Sequence, residues 1–187
     1  MDEIELTIIA ISSSESQKGN YVVVFEEIDG FRRLTVIIGK FEAQSIAMTL
    51  ENMTPTRPLT FDLFYNTLLQ LNVKLNKIVI KEIKDGVFYA QLIIEQDDKI
   101  FKIDARTSDA IALTVRFEAP IYACNDVMEE ASIVLESPSS AFTNKRGKLE
   151  DYSLEELERI LAQLLKKEDY RSAVKIRNAI KKKKNQK

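Results

Sequence analysis

The chain has 187 residues, of which 45% are hydrophobic and 30% are charged, and its formal net charge is −2. These values suit one domain of ordinary size with room for a small appendage. The sequence contains no histidine and only one cysteine, Cys124, which excludes histidine-dependent nucleophilic triads, zinc sites built on His ligands and an intramolecular disulfide.

Apolar residues alternate along six segments, and this period of two predicts β-strands. The segments are 4–11, 21–28, 31–38, 77–83, 87–94 and 99–105. Asp29-Gly30 and Asp85-Gly86 each separate two consecutive segments, and Asp-Gly between apolar runs is a strong hairpin signal. We therefore expect neighbouring strands to be mostly antiparallel.

Helical spacing of apolar residues predicts helices at 40–52, 60–71 and about 108–117, with a short helix after Asn125. Together with the strands, these helices predict the α+β class, in which a mostly antiparallel or mixed sheet packs with a few helices. Thr60 suits the N-cap of the second helix, and Thr107 or Ser108 suits that of the third.

The composition changes at about residue 137, where a Ser- and Pro-containing stretch begins. Leucines and isoleucines then recur at helical spacing after a Ser153-x-x-Glu156 capping box. We predict a domain at 1–136, a linker at 137–150 and a helical hairpin at 151–187. Residues 1–143 hold 13 Lys and Arg against 22 Asp and Glu, whereas residues 144–187 hold 14 against 7. An acidic body therefore carries a basic tail.

No apolar run approaches the roughly 20 residues that a membrane-spanning helix needs. The N-terminus begins directly with alternating apolar residues rather than with a charged and then apolar signal. We therefore expect a cytoplasmic protein without a membrane partner.

Two polar clusters lie where predicted helices begin. In the first, Asp104 and Arg106 end a strand and Asp109 falls in the first turn of the following helix. In the second, Arg57 precedes a helix and Asp62 falls in its first turn. A carboxylate in a first turn compensates the helix dipole, and this is the plain interpretation of each aspartate alone.

The two clusters could instead meet in the fold. Asp62, Asp104 and Asp109 would then be catalytic and hold Mg²⁺ or Mn²⁺, because a hard metal ion prefers carboxylate oxygens. Arg57 and Arg106 would bind phosphate bidentately, and Thr60 and Ser108 would support the site as helix caps. The alternative is an internal salt-bridge network that locks two helix starts to a sheet, and the sequence leaves both open.

Several ordered motifs across residues 1–135 resemble the bifunctional nuclease domain family, also known as the DUF151 family. They are Ile38-Gly39 with Glu42-Ala43 and Ile46-Ala47, Arg57 to Leu63, Val87 to Ala90 with Leu92, Asp104 to Leu113, and Ala119 to Tyr122. The resemblance implies an α+β fold, nuclease activity on DNA and RNA, and a bacterial or plastid-type setting.

The chain departs from the family pattern at two places. Phe61 stands where the pattern usually carries histidine, so either the chemistry runs on carboxylates or the nuclease activity does not hold for this chain. The usual Arg-Pro-Ser-Asp is Arg106-Thr107-Ser108-Asp109 here, which is a milder change.

Residues 153–180 resemble the UVR motif, a helical hairpin that pairs with another protein in excision-nuclease subunits. The matching positions are Leu157, Leu164-Leu165, Glu168 to Tyr170, Ala173, Arg177 and Ile180. We therefore predict a nuclease acting on DNA or RNA whose hairpin binds a protein partner. The alternative is a non-enzymatic regulatory module that binds a protein or ligand. Exposed strand edges and the hairpin favour a homo-oligomer.

Overall fold

The computed structural model describes residues 2–134, 149, 152–166 and 170–185. The strands are β1 (Glu3–Ser13), β2 (Tyr21–Glu27), β3 (Arg32–Ile38), β4 (Lys74–Lys84), β5 (Val87–Gln96), β6 (Lys99–Arg106), β7 (Ile121–Cys124) and β8 (Ser132–Val134). The helices are α1 (Lys40–Leu50), α2 (Thr60–Gln70), α3 (Thr107–Phe117), α4 (Asn125–Ala131), α5 (Leu154–Lys166) and α6 (Tyr170–Asn185). The chain forms two compact units, the first of Met1–Phe25 with Leu34–Ser132 and the second of Glu26–Arg33 with Ile133–Lys187.

In the part of the chain that the structure describes, the strands form one mixed sheet of eight, in the order β6-β5-β4-β7-β1-β2-β3-β8. β4, β5 and β6 are antiparallel neighbours, whereas β7 lies parallel to β4 and antiparallel to β1. Asp85 and Gly86 both have positive φ, 51° and 76°, which is the two-residue turn that suits the twist of a hairpin. The predicted α+β class is thereby confirmed.

The six predicted strands are present, but β7 and β8 were not predicted. They have four and three residues, which is too short for a clear alternation. The predicted helices are present within two residues at each end, and the short helix begins at Asn125 itself.

Helix α3 is the centre of the first unit's core. Residues 110–114 are all buried, and Ile111 and Leu113 lie with Ile78 and Ile80 of β4 in the same apolar cluster. Helix α2 is different, because none of its residues is buried, and Leu63 is 63% exposed. Among the side chains of α2, the partly buried Phe61 and Leu68 pack against this core.

The helix caps differ from the prediction. Helix α2 begins at Thr60, so Leu59 occupies the N-cap and its N–H donates to the Asp62 carboxylate at 2.9 Å. Helix α3 begins at Thr107, with Arg106 as its N-cap and no side-chain cap from Ser108. The Thr107 hydroxyl instead donates to the carbonyl of Phe88 at 3.0 Å. Thr60, Thr107 and Ser108 are therefore not N-caps, because α2 begins one residue, and α3 one or two residues, before the starts that these caps would require.

In the second unit, α5 and α6 bury the apolar stripes that the sequence places on them. Leu157, Leu164 and Ile176 are almost completely buried. The predicted capping box is confirmed, since the Ser153 N–H donates to Glu156 at 2.6 Å and the Glu156 N–H to the Ser153 hydroxyl at 3.2 Å. Except for Leu149, the predicted linker lies outside the described residues.

Within the described ranges, no helix combines the length and the hydrophobicity that crossing a membrane requires.

Candidate functional site

The first unit carries an acidic residue at the third position of three helices, namely Glu42 of α1, Asp62 of α2 and Asp109 of α3. A negative charge in the first turn is favoured by the partial positive charge of the helix N-terminus. Two arginines, one at each end of α3, bind these three carboxylates. We call the groups around them the Arg106 cluster and the Arg116 cluster.

The Arg106 cluster consists of Arg106, Asp109 and Glu42. The guanidinium donates from Nε to Asp109 at 2.7 Å, and from Nη2 to Asp109 and to Glu42 at 2.9 Å each. The Arg106 side chain is 70% exposed, whereas Glu42 is 15% exposed. Hydrogen bonding and the charge of Asp109, followed by the charge of Glu42, raise the pKa of Arg106. A permanently charged guanidinium is thus held in place and still faces solvent.

Glu42 reaches this cluster by folding back over the start of its own helix. Gly39 is the N-cap of α1, with extended backbone at φ −69° and ψ 159°. A Cβ atom at this position would lie only 2.4 Å from Oε2 of Glu42. Glycine therefore leaves room here for the Glu42 carboxylate, whereas its extended backbone is one that other residues also adopt.

The Arg116 cluster lies at the other end of α3 and is closed. Arg116 donates from Nε to Asp62 at 2.9 Å, from Nη2 to the Ser45 hydroxyl at 2.9 Å and from Nη1 to the Ala112 carbonyl at 2.7 Å. Its guanidinium also lies 5.7 Å from the centre of the Phe61 ring. The Arg116 side chain is only 7% exposed, and each of its three nitrogens has an acceptor.

The negative charge of Asp62 is consequently compensated by Arg116. Burial opposes its ionised form, but the Leu59 N–H and the hydrogen bond and charge of Arg116 outweigh that effect and lower its pKa. Asp62 therefore stays ionised and paired, joining α2 to α3 through Arg116 and to α1 through Ser45. The network differs from the alternative that the sequence offered, because it joins three helices through Arg116 and includes no residue of the sheet.

The predicted site residues do not form one group. Asp109 and Arg106 lie together, and Asp62 lies in the separate Arg116 cluster. Asp104 is exposed on β6 opposite Gln91, and Arg57 is exposed before α2, and neither has an ion pair with a described residue. Among the residues that the structure describes, no three His, Cys, Asp or Glu side chains are placed to hold one metal ion.

Sequence reasoning missed Arg116, Ser45 and the role of Glu42. Glu42 stands in one of the quoted family motifs, and it occupies the same third helical position as Asp62 and Asp109. That shared position could have singled it out. Arg116 shows no signal beyond its place in the last turn of a predicted helix.

A family model described as the bifunctional nuclease domain matches residues 23–136. The chain belongs to the bifunctional nuclease domain family. The matched region contains all residues of the Arg106 and Arg116 clusters.

Two relatives come from Mycobacterium tuberculosis. They are "Uncharacterized protein MT1877" of strain CDC 1551 / Oshkosh and "Uncharacterized protein Rv1829" of strain ATCC 25618 / H37Rv. Each is 33% identical to this chain over 148 residues, which cover 78% of this chain and 87% of the relative. The similarity therefore extends over most of both proteins.

Proposed function

We propose that this protein is a nuclease that hydrolyses phosphodiester bonds of DNA or RNA at the Arg106 cluster. Membership of the bifunctional nuclease domain family supports the activity. The observation that carries the location is that Arg106 is 70% exposed although two carboxylates hold it. Such a guanidinium is oriented before a substrate arrives, and arginine binds phosphate oxygens through paired N–H groups.

Phosphate binding would change the partners of Arg106. Its Nη1 donates to no described acceptor, and its Nη2 is shared between Asp109 and Glu42. A phosphate oxygen can therefore take Nη1 and compete with Glu42 for Nη2, while Asp109 keeps Nε. Glu42 then loses part of its counter-charge beside the bound phosphate.

In this proposal Glu42 acts as the general base. Its carboxylate accepts a proton from a water molecule as the water oxygen attacks phosphorus. The bond from phosphorus to the leaving oxygen breaks, that oxygen takes a proton from solvent water, and Glu42 returns its own proton to solvent. Arg106 stabilises the negative charge that develops on the phosphate oxygens. Asp109 positions Arg106 through a bidentate ion pair.

The remaining predicted residues take smaller parts. Arg57 is exposed just before α2, and it remains a proposed contact for another phosphate of the nucleic-acid substrate. Asp62 is paired with Arg116 and becomes a positioning residue. The predicted Mg²⁺ or Mn²⁺ centre of Asp62, Asp104 and Asp109 does not fit the described geometry, so we derive no step through a metal ion.

The decisive experiment measures cleavage of labelled single-stranded DNA, duplex DNA and RNA by the purified protein. Reactions with Mg²⁺, with Mn²⁺ and with EDTA test the metal requirement. The variants are Arg106→Ala and Glu42→Gln, and Lys99→Ala is the matched control because Lys99 is an exposed cation of β6 outside both clusters.

We expect cleavage by wild type and Lys99→Ala, with losses of about 100-fold or more in the two cluster variants. Equal cleavage by all four proteins would indicate a contaminating nuclease and contradict the proposal.

A regulatory module without catalytic activity is the second candidate. The observation in its favour is that Asp62 is neutralised and no three-ligand metal group is present among the described residues. The acidic residues 1–143 also disfavour tight binding driven by phosphate contacts. This candidate predicts Arg106-dependent binding of a phosphate-containing ligand with no cleavage under any metal condition. A cytoplasmic location and assembly into a homo-oligomer remain predictions.

A further inference from the structure

The turn between β2 and β3 belongs to the same compact unit as the C-terminal helices. Phe31 at this turn is 9% exposed and lies in the apolar cluster of Leu157, Ile160 and Ile176. The helices alone would have marginal stability, because two short helices bury little surface. Phe31 supplies an aromatic side chain that completes their core.

An ion pair within the turn fixes its shape. Arg32 donates to Glu27 from Nε at 2.9 Å and from Nη2 at 3.0 Å, and both side chains are under 10% exposed. A Cβ at residue 30 would lie 2.1 Å from Oε2 of Glu27. Gly30 therefore leaves the space in which the Glu27 carboxylate folds across the turn.

Lys175 of α6 binds this turn with all three of its N–H groups. Its Nζ donates to the Glu26 carboxylate at 2.5 Å and to the carbonyl oxygens of Glu27 and Gly30 at 3.1 and 3.4 Å. An ammonium group has three donors, so the match uses its full capacity. Lys182 adds an ion pair to Asp29 at 2.6 Å.

The charges of α6 and of the turn between β2 and β3 are complementary. Glu26 is shared between Lys175 and Arg33, and it is buried. Burial opposes ionisation of Glu26, but hydrogen bonds and charge from Lys175 and Arg33 lower its pKa. A buried carboxylate is costly without such partners, so this contact favours an acidic turn over a neutral one.

We propose that α5 and α6 form a recognition module for an acidic β-turn with an aromatic residue, and that residues 26–33 occupy this module as an intramolecular ligand. A protein partner of the helices would present the same chemistry, with one aromatic side chain and carboxylates facing Lys175 and Lys182. Such a partner must displace the chain's own turn. This inference does not depend on the nuclease proposal.

Hydrogen exchange of the full-length protein tests the occupancy. The variant is Phe31→Ala, and Phe101→Ala is the matched control because Phe101 is an exposed phenylalanine of β6. We expect amide exchange in α5 and α6 to accelerate at least tenfold in Phe31→Ala, with no change in β4 and β5. Unchanged exchange in α5 and α6 would overturn the proposal, because the helices would then fold without the turn.

A cyclised peptide with the sequence of residues 26–33 tests the recognition. We expect it to slow exchange in α5 and α6 of Phe31→Ala, and to bind wild type at least tenfold more weakly because the surface is occupied. A peptide with lysine at the positions of Glu26 and Asp29 is the charge control. Equal binding of the two peptides, or equal binding to both proteins, would overturn the proposal. The variant Lys175→Gln, which keeps Phe31 in place, should weaken protection in the same helices if Phe31→Ala fails to fold.

Discussion

Arg106 and Arg116 lie at opposite ends of α3 and bind carboxylates of the same helical position, but only one of them is open to solvent. Arg116 is 7% exposed and gives each of its three nitrogens to an acceptor. Arg106 is 70% exposed and leaves Nη1 without a described acceptor. The same chemistry thus serves packing at one end of the helix and, in our proposal, substrate binding at the other.

The largest expected effect comes from breaking the Arg116 cluster. Arg116→Ala should lower the free energy of unfolding by about 3 kcal/mol, because it leaves the Asp62 carboxylate and the Ser45 hydroxyl partly buried without their partner. Urea unfolding followed by circular dichroism measures the change. A loss below about 1 kcal/mol would show that Arg116 is no more structural than a surface arginine.

Breaking the Arg106 cluster should affect function rather than stability. We expect Arg106→Ala to change the free energy of unfolding by less than about 1 kcal/mol, while cleavage or ligand binding falls by about 100-fold. Urea unfolding and the cleavage assay on the same preparation separate the two effects. A destabilisation as large as that of Arg116→Ala would remove the distinction between the clusters.

A subtler change displaces Glu42 without altering its charge. In Gly39→Ala the new Cβ would meet the Glu42 carboxylate, which must swing away from Arg106. We expect activity to fall by roughly tenfold, with the fold retained because the obstacle is the end of a flexible side chain.

The double variant Gly39→Ala with Glu42→Gln is the control for this effect. If the glycine acts through Glu42, adding Gly39→Ala to Glu42→Gln should cause little further loss. Independent, multiplying losses would contradict that route.

The smallest effect is the pH dependence of the stability that the Arg116 cluster gives to the fold. The pKa of Asp62 is lowered below the ordinary 3.8, so its pairing stabilises the fold above that pH and is lost as the pH falls through the lower folded value. An NMR titration of the Asp62 carboxyl should give a pKa below 3.8 in wild type and a higher one in Arg116→Met, where only the Leu59 N–H still opposes the effect of burial. An unchanged pKa in Arg116→Met would mean that Arg116 does not hold this carboxylate.

Much of the fold followed from local patterns. The Asp85-Gly86 turn, the six longer strands and the Ser153–Glu156 capping box were predicted because each depends on residues close in sequence. The start of α3 was displaced by one residue, since a strand that runs directly into a helix moves the N-cap to Arg106. β7 was missed because a four-residue strand is recognisable only from the neighbours with which it pairs.

The candidate site was predicted in part. Arg106 and Asp109 are three residues apart, and their ion pair is one that a helix start makes by itself. The proposed grouping of Asp62 with Asp104 and Asp109 was not found, because Asp62 pairs with an arginine that carried no sequence signal. Periodicity places a side chain on a face, but it does not say which of several opposite charges it will reach.

Residue order alone was therefore sufficient for the six longer strands, the helices, the Asp85-Gly86 turn and the first-turn positions of Asp62 and Asp109. The pairings that give the chain its chemistry needed the folded molecule, since they span 64 residues for Arg106 and Glu42, 54 for Arg116 and Asp62, and 149 for Lys175 and Glu26. Local patterns act over one or two turns, whereas a charged side chain pairs with whichever opposite charge packing brings within about 3 Å of it. Packing also decides which arginine is buried, and so which of the two remains exposed to solvent.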